Sequence, residues 1–188
     1  AQKEKWLQPI IDGKVRSAFV MTEPHPGSGS DPAGMMRTKA EKKGDKWVVH
    51  GHKWFITGAG ASTHFILIAR TSHDPRNGLS AFLFHKDQPG WEIVRKVPIM
   101  GPEEHGGHCE LRFDGLEIPE ENLLMKVGDG LRATQIRLGP ALDVGFGAPA
   151  VFDQIGDSAD FQTMKLREFD QVGHPRHGAV IVHDLADY

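Results

Sequence analysis

Lys46-Trp47-Val48-Val49-His50 and Phe65-Ile66-Leu67-Ile68-Ala69 are the stretches on which the fold turns. The first is preceded by Thr38 to Glu41 and a Gly44-Asp45 pair, which reads as a β-hairpin closed by a tight turn. Trp54-Phe55-Ile56-Thr57 follows Gly51 and stops at Gly58, a further strand-like run. Phe65 to Ala69 is dense in large apolar side chains, as a central strand would be. Outward from this core lie Ala18 to Met21, Leu79 to Phe84, Trp91 to Val94 and Cys109 to Asp114, each short and bounded by Gly, Pro, Asn or Asp. Many short strands with turn signals between them predict a β-sandwich or barrel. No alternation with long helices appears, which argues against a doubly wound α/β domain.

The flanks differ. In residues 1–16, Trp6, Leu7, Ile10 and Ile11 are spaced for one buried helical side, Pro9 interrupts the ladder and Gly13 ends the element. Gly128-Asp129-Gly130 precedes a second helix start from Leu131 to Leu138. Beyond Gly139 the composition shifts to three basic against eight acidic residues, punctuated by glycine and proline. The expected organisation is therefore a helical end at 1–16, a β-domain at 17–122, the start of a second helical region at 123–140 and an acidic tail at 141–188.

The 188 residues carry 22 basic and 25 acidic side chains. That balance lacks the concentrated basic face of a nucleic-acid binder. No apolar run is long enough for a membrane span, and the first residues lack the apolar run of a secretory signal. Cys109 is the single cysteine, so no internal disulfide forms, and a reducing compartment fits.

Two clusters carry chemistry. Met21-Thr22-Glu23-Pro24-His25-Pro26-Gly27-Ser28-Gly29-Ser30-Asp31 leads a strand into a glycine- and serine-rich turn. Such a turn is either a plain surface turn or a set of N–H groups cradling an anion. It lacks the Gly-Lys-Ser/Thr of a P-loop. Gly51 to Gly58 places two aromatics and a hydroxyl on a strand, where they are either core and strand end or a platform for a flat cofactor. His105, His108 and Cys109 beside Glu103 and Glu104 do not have a zinc spacing, so no metal is expected. His183-Asp184 has no placed nucleophile and is no triad.

Taken in order, Met21-Thr22-Glu23-Pro24, Gly29-Ser30-Asp31, Gly51 to Gly58, Gly78 to Phe84, Pro89-Gly90-Trp91, Met100-Gly101, Phe113 to Asn122 and Gly128-Asp129-Gly130-Leu131 resemble the motif series of acyl-CoA dehydrogenases. The resemblance covers roughly residues 1–140. It implies a mainly β middle domain of two packed antiparallel sheets with short helical flanks, lying between two helical domains. It also implies FAD as cofactor and an acyl-CoA substrate oxidised to the trans-2-enoyl-CoA. An electron-transfer flavoprotein would be the acceptor and a homo-oligomer the assembly. Bacterial cytoplasm fits, as does a mitochondrial or peroxisomal site with the targeting segment absent.

Carried over by motif, Thr22 would contact the pyrimidine edge of the flavin, helped by backbone groups of Val20 and Met21. Ser28 or Ser30 would face the pyrophosphate, the turn being two residues longer than the commonest form. Thr57 would lie near N5. Phe55 stands where the family usually has a tryptophan, which keeps an aromatic platform but loses an indole N–H. Arg137 resembles an arginine near the family's active site. The proton-abstracting glutamate lies in the family's carboxy-terminal helices, and no counterpart is recognisable here. Glu23 is not nominated, because its position in the family is structural, and Glu168 is a still weaker candidate. A competing reading is a non-catalytic β-domain that binds acyl-CoA or a protein partner.

Overall fold

Phe65, Leu67 and Ala69 point to one side of strand β4 (His64–Arg70) and Ile66 and Ile68 to the other, and all five are buried. This two-sided burial explains the unbroken apolar run. A computed structural model describes residues 1–28, 31–100 and 104–136. Ser30, Arg137 and the acidic tail lie outside these residues, as do Glu168 and His183-Asp184.

Eight strands form among the described residues: β1 (Ser17–Val20), β2 (Lys39–Lys43), β3 (Lys46–Thr57), β4, β5 (Leu79–His85), β6 (Trp91–Lys96), β7 (His108–Pro119) and β8 (Leu123–Leu124). Their order is β6-β7-β3-β2-β4-β5-β8, with β1 beside β4. One layer is β6-β7-β3-β2 and the other β1-β4-β5-β8. Their facing sides share a core of Val20, Val49, Ile56, Phe65, Leu67, Phe82, Phe84, Leu111 and Leu116. Within it Phe65 stacks on Phe84 at 4.7 Å, and Trp91 meets both rings edge-on.

The two-layer expectation holds, but pairing is mixed rather than wholly antiparallel. β1 runs parallel to β4, and a single parallel bridge from Lys39 to Arg70 joins the layers. The hairpin is as expected, Lys43 pairing with Lys46 across Gly44-Asp45, with Gly44 at φ 65°. β7 runs past the expected end at Asp114, because Gly115 at φ 81° absorbs an irregularity where the partner shifts between Val49 and His50. After Pro119 the chain returns as β8 against β5, at the start of the stretch 123–140 expected to open a helical region.

The outer side of the β4–β5 layer is covered by α1, a π turn over Lys3–Leu7 continuing as α-helix Gln8–Ile11, and by a helix over 130–136. Trp6, Met36, Ile66, Ile68, Leu79, Leu83 and Ala133 form this second core. The expected helical side is only partly right: Trp6 is 6% exposed, but Ile11 is 56% exposed. The Gln8 N–H bonds to the Lys3 carbonyl, five residues back, so the wider turn ahead of Pro9 shifts the phase of the apolar stripe. No helix among the described residues is long and apolar enough to cross a membrane.

Candidate functional site

The inward row of β3 is Trp47, Val49 and Lys53, the period-two alternation of a strand. Continued unbroken, it would send Phe55 into the core. Instead the pairing with β7 shifts between Lys53 and Ile56: Lys53 faces Leu111, and Ile56 faces Cys109. Two residues of β3, Trp54 and Phe55, thus oppose the single Glu110, which defines a β-bulge. Ile56 takes the inward place, and Phe55 is left 44% exposed with φ 53°. A bulky residue in left-handed backbone is a true outlier, and such strain gathers at working sites.

Around this ring the polar groups are ordered. The Trp54 N–H donates to the Thr22 carbonyl at 3.0 Å, and the Thr22 hydroxyl donates to the Trp54 carbonyl at 2.5 Å. Phe55 meets Trp54 edge-on and lies 6.4 Å from the His108 ring. His108 Nδ1 is 3.0 Å from the Thr57 hydroxyl, its neighbour across the ladder. Thr22, Trp54, Phe55, His108 and Thr57 therefore form one connected run along the edge of the layer. Cys109 points the other way, into the core, so it does not converge with His108.

Behind Thr22 lies a buried ion pair. Lys53 Nζ is 2.9 Å from Glu23 Oε1, and the two side chains are 0% and 2% exposed. Nζ also donates to the Met21 carbonyl at 2.7 Å. The Glu23 carboxylate accepts the N–H of Arg37 at 2.7 Å and of Thr38 at 2.9 Å. Burial drives the Lys53 ammonium down to about 8, and the Glu23 charge opposes that shift. Burial alone would raise the Glu23 carboxyl, but the Lys53 charge and the hydrogen bonds to residues 37 and 38 outweigh it and hold it below its ordinary range.

The carried-over positions divide by orientation. Val20 is wholly buried in the main core, so only its backbone faces outward possibilities, and that backbone lies in register with Leu67 of β4. Met21 is half-buried and packs against the second core. Ser28 is 1% exposed, and its hydroxyl has no partner among the described residues. An orphaned buried hydroxyl costs about 1–3 kcal/mol, which an arriving polar ligand atom would offset. A flat exposed ring, flanking hydroxyls and this orphan at the glycine-rich turn fit a cofactor with an aromatic head and an anionic tail. Lys53 is not singled out from sequence, and His108 is weighed there only as a metal ligand beside His105 and Cys109. The alternation of Trp47, Val49 and Gly51 along β3 was the signal that Lys53 points inward.

The family described as acyl-CoA dehydrogenase, middle domain, matches residues 18–116, and the chain belongs to the acyl-CoA dehydrogenase family. An acyl-CoA dehydrogenase of Bacillus subtilis is 42% identical over 139 residues, covering 73% of this chain and 35% of that protein. The structure of butyryl-CoA dehydrogenase from Megasphaera elsdenii superposes with a TM-score of 0.68 at 34% identity, covering 76% of this chain and 37% of the other. A structure described as the FAD complex of PigA superposes at 0.65 with 29% identity, covering 72% and 35%. The chain thus spans about a third of the length of these three relatives.

Proposed function

We propose that this chain supplies the β-domain wall of a site in which FAD oxidises an acyl-CoA thioester to the trans-2-enoyl-CoA, with an electron-transfer flavoprotein as electron acceptor. The observation that carries the reading is Phe55, held out of the core by a β-bulge and flanked by the hydroxyls of Thr22 and Thr57. A flavin held by Thr22, Phe55 and Thr57 would supply the hydride acceptor for such an oxidation.

The chain's own residues do the holding. The Thr22 hydroxyl has given its hydrogen to Trp54, so its lone pairs remain to accept from a ring N–H. Thr57 and His108 share one hydrogen and leave the other valences for a ligand. The Phe55 ring offers an apolar wall that excludes water from one face. The Ser28 hydroxyl and the N–H groups of its turn suit the diphosphate. Glu23 takes no part as base, because both oxygens are committed to Lys53 and two N–H groups inside the protein. We assign the proton to no carboxylate among the described residues.

The test is a titration of the 188-residue chain with FAD, read by flavin fluorescence. Quenching by the wild type and its loss in Phe55→Ala are expected. Fluorescence indifferent to excess protein would overturn the reading.

A further inference from the structure

Lys53 occupies an inward strand position that an aliphatic side chain would fill at lower cost. Replacing a buried ion pair with apolar residues is often neutral or stabilising, so its presence here calls for a role other than holding the fold together. The contacts show what it grips. One ammonium binds the carbonyl of Met21 and the carboxylate of Glu23, the residues on either side of Thr22. Glu23 then reaches the N–H groups of Arg37 and Thr38, tying the start of the glycine-rich turn to the residues that enter β2. The next residue, Trp54, takes both the carbonyl and the hydroxyl of Thr22, and the one after it is Phe55.

We propose that Lys53 and Glu23 are positioning residues of the flavin face: together they fix the Thr22 hydroxyl in register with the Phe55 ring. The proposal rests on the flavin reading above. It adds a claim about which buried groups set that geometry. A clamp of this kind holds a contact within the few tenths of an ångström that a ligand site requires.

The experiment compares the wild-type chain with Lys53→Met, Glu23→Gln and Ile118→Val, the last a core truncation at the far end of β3 and β7. Amide hydrogen exchange without flavin is one readout, and FAD affinity with the shape of the visible band is the other. Lys53→Met is expected to lose protection at Trp54 and Thr38 while β4 and β5 keep theirs. It should bind FAD about tenfold more weakly with an altered band, the loss typical of removing a group that orients a ligand contact. Ile118→Val should be less stable yet leave the affinity and band intact. Where Lys53→Met does not fold, Glu23→Gln carries the same readouts, since it keeps the shape but removes the charge opposite Lys53 and sets an amide donor against a backbone N–H that the carboxylate accepted.

Wild-type affinity and band shape in the folded clamp variants overturn the proposal, as does an equal loss in Ile118→Val. A wild-type chain that binds no FAD contradicts the function reading itself, and the clamp falls with it. The two failures are thus told apart by the wild-type titration alone.

Discussion

Phe55 meets Trp54 edge-on, ring centroids 4.9 Å apart and planes at 69°, although neighbours along a regular strand point to opposite faces. Only the bulge between Lys53 and Ile56 allows the contact. That local break in the strand turns the Phe55 ring out of the core and beside Trp54.

Backbone strain at Phe55 separates two substitutions. Left-handed backbone costs an L-residue about 1–2 kcal/mol. Glycine avoids that cost and gives back roughly 0.5–1 kcal/mol in chain entropy. Phe55→Gly should therefore be more stable than Phe55→Ala by about 0.5–1 kcal/mol, net of those two effects, as measured by urea unfolding. Both should lose flavin quenching. Equal stability of the two would place Phe55 in ordinary extended backbone.

Thr57→Val tests a contact at an exposed strand end. The lost hydrogen bond to His108 is solvent-accessible, so stability should change by less than about 1 kcal/mol. FAD affinity should fall while the melting temperature barely moves. A large stability loss with intact affinity would make Thr57 a structural residue only.

The buried pair gives opposite edges to the pH profile. The unfolded chain keeps the Lys53 proton up to about 10.5, whereas the folded chain releases it near 8. Between those values the unfolded state binds more protons, so stability rises with pH across that window. Urea unfolding of wild type minus Lys53→Met at pH 7, 9 and 11 isolates the effect, and a difference that falls with pH contradicts it. For Glu23 the folded carboxyl lies below its ordinary 4.5. Its contribution is present above 4.5 and lost as the pH drops through the folded value, so Glu23→Gln should flatten the acid limb.

Gly51 is a point of close approach. A Cβ there would lie 2.6 Å from the Thr38 Cα and 2.4 Å from its hydroxyl oxygen. Gly51→Ala must push β2 away from β3 just where Thr38 supports Glu23. A loss of about 1–3 kcal/mol in thermal or urea unfolding is expected. Wild-type stability would show that the two strands have room to separate.

Much of the sheet was legible because its signals are local. The Gly44-Asp45 turn, the apolar run of β4 and the short turn-bounded run of β5 each depend on neighbours along the chain. What escaped depends on pairing between distant segments. The exit of Phe55 from the core follows from one unmatched residue opposite Glu110, which no window of β3 reveals. The extension of β7 rests on Gly115 holding positive φ at a bulge inside the strand, which only the pairing with Val49 and His50 reveals. Lys53 was passed over because lysine is rarely buried, although the parity of Trp47 and Val49 pointed it inward. The site itself was half legible: the motif series named Thr22, Phe55 and Thr57, but the ion pair behind them needed coordinates.

The most direct test is a map of amide chemical shifts in the 188-residue chain as FAD is added. The account predicts the largest changes at Thr22, Trp54, Phe55, Thr57 and His108, with β6 and the β8 turn unmoved. Saturating FAD that leaves those five amides in place, or shifts gathered on the opposite edge, would contradict it.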